Sequence, residues 1–312
     1  MDATMSFYFS IFVFALTYLG IMSEKIPRSI CALLGAGLVI YSGLLTQEMA
    51  LQQFIDFNTL GLLAGMMVLI GVVKKSGFFE SMALWAVKVS KGRPKELLII
   101  LGLITGFCAS FMDAVTAVLL ITPMTISLCR RIHVSPIPTL IAEILLSNIG
   151  GSGTMVGDPP NVMIGSATHL AFNDFAMHTG PIALINIVAC IIYLEIIYGK
   201  QLPKTEMSPE ELAKINLSSV ITDFSILKKS VTILVLTIFG FIIHNIIGIQ
   251  SATIALTGGV LAILVCKVDP HEIFREVDWD SLFFFIGLFI VVGGLETTGV
   301  INTMAAAGIE AV

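Results

Sequence analysis

Long runs without a single Lys, Arg, Asp or Glu constrain this chain more than any other feature. Apolar stretches fall at 5–22, 29–45, 57–73, 96–129, 136–172, 181–198, 230–247, 251–266 and 281–295. About 20 apolar residues in a helix match the ~30 Å hydrocarbon core of a bilayer. Only 12% of residues are charged, about half the soluble norm of roughly 25%, so too little charge remains to clothe a water-facing surface. Backbone groups in lipid must find partners within their own segment. The expected fold is therefore an all-α polytopic membrane protein, with the lipid bilayer as its first partner. A net charge of −5 with no basic face excludes nucleic-acid binding. Cys31, Cys108, Cys129, Cys190 and Cys266 stand far apart in apolar segments and read as small buried hydrophobes.

The first stretch is expected to be a retained helix and not a cleaved leader. Asp2 precedes it, no basic residue does, and Lys25 and Arg28 follow it. Orientation follows from the cations. They cluster after the first stretch, after the third (Lys74, Lys75, Lys88, Lys91, Arg93, Lys95), at Arg130 and Arg131, between Lys200 and Lys229, and at Lys267 and Arg275. The loops near 46–56, 169–180 and 248–250 hold none. With the N-terminus outside a cell membrane, every positive charge lies in the cytoplasm, provided 96–129 returns to its starting side and 136–172 crosses once.

Both conditions have local support. Ser110-Phe111-Met112-Asp113 divides 96–129 into two arms of about sixteen residues, each about 24 Å long, which suits a re-entrant hairpin. Residues 136–172 are interrupted by Asn148-Ile149-Gly150-Gly151-Ser152-Gly153-Thr154 and by Gly157-Asp158-Pro159-Pro160-Asn161. Glycine and proline disfavour helix continuation, so two half-helices, about 136–148 and 161–172, are expected to make one broken crossing.

A shift of 222 positions aligns Asp56, Leu60, Gly65, Gly71, Gly77, Met82 and Ala83 with Asp278, Leu282, Gly287, Gly293, Gly299, Met304 and Ala305. Ser29 and Gly37 likewise meet Ser251 and Gly259, while Lys74 and Lys88 meet Glu296 and Glu310. Positive charge kept in only one copy is the mark of an inverted-topology repeat. The expected organisation is a first repeat at 1–200, a cytoplasmic linker with a short amphipathic helix at 201–229, and a second repeat at 230–312. The first would carry an interfacial arm at 76–90, the hairpin, the broken helix and a span at 181–198. The second copy stops at the counterpart of Ser90, so a second hairpin and a second broken helix are expected to be missing.

The stretch Asn148-Ile-Gly-Gly-Ser-Gly-Thr-Met-Val-Gly-Asp-Pro-Pro-Asn161, with Val277-Asp-Trp-Asp-Ser-Leu-Phe-Phe-Phe-Ile-Gly, resembles the ion transporter superfamily and its citrate-transporter-like domain. The likeness is greatest to the branch of arsenite-efflux permeases, sodium–proton antiporters and the P protein. The resemblance implies a secondary transporter whose hairpin tips and broken-helix loops form the ion and substrate sites. It also implies a departure: a usual Asp-Asn-Val-Thr-Thr at the hairpin is here Asp113-Ala114-Val115-Thr116-Ala117, with two candidate ligands replaced by methyl groups.

The residues themselves offer a fitting chemistry. A carboxylate within a membrane is costly unless paired, hydrated or protonated, which singles out Asp113 and Asp158. With the hydroxyls of Ser110, Thr116, Ser152 and Thr154, the amides of Asn148 and Asn161, and backbone freed at Gly150, Gly151 and Gly157, they form the expected ion or substrate site. The coupling ion would be H⁺ or Na⁺; no other cofactor, no metal and no catalytic residue is expected. The bland alternative makes Asp113 a helix cap and Asp158 a turn former. The half-helix starting near 161 is expected to offer amides and its positive dipole end to an anion. Glu143 is either a functional acid or a structural one. Glu195 is expected to snorkel or to pair with Lys200, and His169, His178 and His244 to be solvated or interfacial. Gly61-x-x-x-Gly65 reads as a helix-packing face.

The expected function is secondary transport of an inorganic ion or small anion, of the arsenite-efflux or Na⁺/H⁺ antiport kind. Na⁺-coupled di- or tricarboxylate transport is the alternative; a carboxylate at 158 would repel such a cargo. An intramembrane aspartyl protease is disfavoured, since its Gly-x-Gly-Asp element needs glycine at 155, where Met155 stands, and there is no Tyr-Asp partner. An inactive or split fragment, needing a partner that supplies the missing half, is the remaining reading; a homodimer would bring only the same hairpin again.

Overall fold

A computed structural model describes residues 2–168, 170–203, 206–213 and 217–310. Regular structure among them is helical throughout. In chain order the helices are α1 (Ala3–Met22), α2 (Arg28–Tyr41), α3 (Gln47–Met49, running into a π-helical turn Ala50–Phe54), α4 (Phe57–Lys75), α5 (Phe78–Ser90), α6 (Pro94–Ala109), α7 (Ala114–Arg131) and α8 (Ile137–Ser152). There follow α9 (Pro159–Thr168), α10 (Phe172–Tyr198), α11 (Pro209–Ala213), α12 (Phe224–Ile247), α13 (Ser251–Cys266), α14 (Pro270–Glu276), α15 (Trp279–Thr297) and α16 (Val300–Glu310).

Six of these, α1, α4, α7, α10, α12 and α15, are long and apolar enough to cross a membrane; α2, α8 and α13 are apolar but shorter. Phe12 and Leu19 on α1, Ile185 and Ile196 on α10, and Leu236 and Phe239 on α12 stand exposed. Large apolar side chains in such numbers would be a liability in water and cost nothing against lipid tails. The chain is a multi-pass, all-α membrane protein.

The chain divides into two units. The first holds 1–60 and 278–312. Its core gathers Val13, Val39, Leu45, Ile55, Ile290 and Val291. Helix α15 lies tightly on α2: a Cβ at Gly287 would stand 2.5 Å from the carbonyl carbon of Ala32. Arg28 fastens the ends of these helices, donating to the Ser281 hydroxyl at 2.7 Å and pairing with Asp280 at 3.5 Å.

The second unit holds 61–277. Gly61 and Gly65 of α4 face α13, where a Cβ at Gly65 would stand 2.5 Å from Ala255, so this pair is indeed a packing face. Lys74 pairs with Glu276 at 3.1 Å and Lys75 with Glu272, fixing α4 to α14. Helices α5, α6 and α7 enclose a core of Phe79, Ala83, Leu97, Leu101, Ala117 and Ile121.

Positions 222 apart share local structure. Asp56 and Asp278 each cap a helix, accepting from the backbone N–H and the hydroxyl of the residue three further on, Thr59 or Ser281. Gly77 and Gly299, with φ of +80° and +81°, each turn the chain into a short helix in a conformation that costs other residues.

Several boundaries differ from those read in the sequence. Helix α8 continues through Gly150 and Gly151 to Ser152, and Pro159 and Pro160 open α9 instead of ending a helix. Proline in the first turn loses no bond, because those N–H groups have no partner within the helix. The segment 172–180, read as a loop, is the first part of α10; the Asp174 carboxylate accepts from the Ala171 N–H at 2.7 Å and steadies its start. Helix α12 starts six residues before its apolar run because Asp223 caps it through the Ser225 N–H. Glu195 pairs with Lys95 at 3.0 Å, not with Lys200. His178 Nδ1 donates to Asp174 O and His244 Nδ1 donates to Ile249 O, carbonyls in or just beyond their own helices. His169, Lys204 and Lys214 lie outside the described residues. All five cysteines are free, four of them buried.

Candidate functional site

The hairpin of α6 and α7 and the break between α8 and α9 come together within the second unit. Their approach begins with glycine. Helices α6 and α8 run side by side so closely that a Cβ at Gly106 would stand 2.8 Å from the Leu146 oxygen, and one at Gly150 would stand 2.6 Å from the Gly106 carbonyl carbon. That contact brings the tip of the hairpin, 110–113, beside the end of α8.

Ser110 then joins the two. Its hydroxyl is shared between the carbonyl oxygens of Gly106 at 3.2 Å and Gly150 at 3.0 Å. Its own carbonyl accepts from the Thr154 hydroxyl. Thr154 Oγ1 also accepts from the Gly157 N–H at 3.2 Å. The Asn161 amide donates to the carbonyls of Ser152 at 3.3 Å and Thr154 at 2.9 Å, closing the turn from the α9 side. A Cβ at Gly157 would stand 2.7 Å from the Ala109 oxygen, so only glycine lets the loop pass the hairpin.

Two acids lie in this junction. Asp113 caps α7: Oδ1 accepts from the Thr116 N–H at 3.0 Å and Oδ2 from the Thr116 hydroxyl. Asp158 is half-buried, with its carboxylate against the α-carbon of Gly151, where a Cβ would meet Oδ1 at 2.7 Å. Among the described residues its carboxylate meets no hydrogen-bond donor and no cation, whereas Asp113 is near enough for the two charges to repel. Like charges so placed favour a bound cation or proton.

Nine of the eleven residues expected at the site, Ser110, Asp113, Thr116, Gly150, Gly151, Thr154, Gly157, Asp158 and Asn161, are brought to this junction. Asn148 and Ser152 contribute no side chain to it. Both are exposed, and each donates to its own helix, to Ile144 O at 2.7 Å and Ile149 O at 2.8 Å. The N-terminus of α9 also differs from expectation as an anion site. Pro159 and Pro160 carry no N–H, and the next two N–H groups, of Asn161 and Val162, bond to the Asp158 carbonyl. Ala114 and Ala117 are buried in the core behind the hairpin, a setting that suits methyl groups.

One supporting residue was not legible in the sequence. Thr179 of α10 donates to Phe175 O at 2.7 Å and reaches Gly153 O at 3.2 Å, holding the loop from outside. A lone threonine in an apolar helix carries no signal of such a role.

The loop depends most on Asn161. Asn161→Ala removes the donors of two loop carbonyls at a cost of about 1–3 kcal/mol for groups left unsatisfied. Backbone hydrogen exchange is expected to quicken at 153–158 and to stay unchanged in α6 and α7; unchanged exchange in the loop would contradict this account.

A junction of a helical hairpin and a broken helix holding two acids, in a multi-pass apolar chain, fits a membrane transporter. Residues 18–311 match the family described as citrate transporter, and the chain belongs to that family. An uncharacterized transporter of Mycobacterium tuberculosis is 36% identical over 301 residues, covering 96% of this chain and 70% of that protein. The magnetosome protein MamN of Magnetospirillum gryphiswaldense is 29% identical over 308 residues, covering 96% and 69%. The P protein of Sus scrofa is 28% identical over 360 residues, covering 91% of this chain and 42% of that protein.

Proposed function

We propose that the protein is a secondary active transporter moving an inorganic ion or small anion across the cell membrane, coupled to H⁺ or Na⁺. The observation that carries this reading is the Asp158 carboxylate, without a partner among the described residues and beside a second carboxylate, where hairpin and broken helix meet. A carboxylate in that position is costly while empty, and a coupling cation or proton relieves the cost. Ser110, Thr116, Thr154 and the loop carbonyls bring further oxygens to the same junction, of the hard kind that Na⁺ takes. In this reading residues 1–200 and 230–312 are inverted repeats joined by a cytoplasmic linker, with the N-terminus outside; the shared caps and glycines 222 positions apart support it.

Na⁺-coupled transport of a di- or tricarboxylate is favoured by the family description. The proline-opened N-terminus of α9, with no free N–H in its first two positions, counts against an anion binding there. The test is flux in proteoliposomes holding the protein at its native length, with a pH- or Na⁺-sensitive dye inside and an imposed Na⁺ or pH gradient. One gradient is expected to drive the other ion, or labelled arsenite; uptake of labelled citrate would favour the second reading. Folded protein that moves none of these under either gradient overturns the transporter proposal.

A further inference from the structure

One buried acid takes no part in the loop site. Glu143 lies in α8 with its side chain wholly enclosed. Thr125 of α7 donates its hydroxyl to Oε1, and Thr122 reaches Oε2 at 3.4 Å. Elsewhere in the apolar helices Thr17, Thr105, Thr237 and Thr297 donate to the carbonyl four residues back, the usual arrangement. Thr122 and Thr125 are instead turned out of their own helix toward Glu143, on either side of the α7 proline, Pro123.

Among the described residues no cation forms an ion pair with this carboxyl. Helices α6, α7 and α10 pack on α8. Among the described residues, Cys129 of α7 is buried, Cys190 and Tyr198 of α10 pack against the cluster of Leu98, Ala142 and Leu194, and Lys95 of α6 is paired with Glu195 of α10 at 3.0 Å. Arg130 and Arg131 lie in the last turn of α7, and among the described residues neither forms an ion pair with Glu143. Two hydroxyls alone compensate an enclosed carboxylate poorly.

The acid also has a connection to the site. Thr139, Glu143, Ser147 and Gly151 recur every fourth residue, all on one buried face of α8. The stripe ends at Gly151, against which the Asp158 carboxylate rests. At 1.5 Å per residue the two acids are about 12 Å apart along the axis. Ser147, whose hydroxyl donates to Ile144 O at 2.9 Å, is the polar side chain between them on that face.

We propose that Glu143 is a proton-binding site separate from the Asp113–Asp158 junction, which releases and rebinds its proton as α7 shifts against α8. The step breaks the carboxyl O–H bond and leaves the carboxylate accepting from Thr122 and Thr125; the proton passes to water, and the reverse step restores it. The site goes beyond the carrier reading and stands whether or not that reading does.

The test uses the proton itself as probe. Infrared spectra of the full chain in lipid are recorded from about pH 5 to about pH 9, a window wide enough to titrate a buried carboxyl, for wild type, Glu143→Gln, Asp158→Asn and Thr125→Val. The expected result is a protonated-carboxyl carbonyl band that fades as pH rises. It persists in Asp158→Asn, is lost in Glu143→Gln, and fades at a displaced pH in Thr125→Val. Absence of any band sensitive to Glu143→Gln, or a band that stays constant across the whole range, overturns the proposal. If Glu143→Gln does not fold, Thr125→Val decides: a displaced titration supports the site and an unmoved one overturns it.

Discussion

Asp158→Asn is expected to abolish ion-coupled flux while leaving the protein as stable as before. The two halves of this expectation have one cause. Among the described residues the Asp158 carboxylate receives no hydrogen bond and no ion pair, and the bonds that start α9 run to its backbone oxygen. Asparagine keeps the shape and the backbone bonds, so no structural bond is lost. What goes is the charge that would attract a cation, or the group that would carry a proton. A loss of about 1.4 kcal/mol would already weaken ion binding tenfold, and the removal of one of two clustered carboxylates is expected to exceed that. Melting in detergent and flux in proteoliposomes check the two halves separately; a variant with intact melting and intact coupled flux would remove Asp158 from the mechanism. Asp113→Ala differs in kind. It deletes a cap worth about 1 kcal/mol through the Thr116 bonds, so lower stability accompanies its lower flux.

Gly150→Leu is expected to have the largest effect on the fold. Any Cβ there enters the backbone of Gly106, with the carbonyl carbon at 2.6 Å and the α-carbon at 2.8 Å. Backbone atoms in a packed helix cannot turn aside as a side-chain tip can. Overpacking typically costs about 1–3 kcal/mol, and this case lies at the upper end or beyond because α6 and α8 must separate. Their separation also breaks the Ser110 bridge to Gly150 O, so the junction opens. A fall in melting temperature together with loss of transport is expected, and Gly150→Ala should already show part of it. Gly37→Ala is the contrast: it sits in α2 with nothing within 4 Å of an added Cβ, and is expected to gain up to about 1 kcal/mol from helix propensity. Equal behaviour of the two glycines would contradict the close-packing account.

Much of the molecule is legible in single stretches of chain. Runs without charge read as helices in lipid, and Asp113, three residues before Thr116, announces a helix start because a cap acts over three residues. The junction was legible as well, since glycine, proline and acid together inside an apolar segment have few uses other than a polar break.

What the sequence could not decide were matters settled by residues far apart in it. Gly150 and Gly151 look like helix breakers, yet α8 passes through them because α6 needs their missing side chains for its close approach. Asn148 and Ser152 look like ligands by neighbourhood, but their places on the helix turn them outward. Glu143 is a lone acid until α7 lays Thr122 and Thr125 against it. The physical reason is the solvent. In a water-soluble helix the apolar stripe shows which face is inside; in lipid both faces are apolar, so only the packed helices reveal which side chains meet.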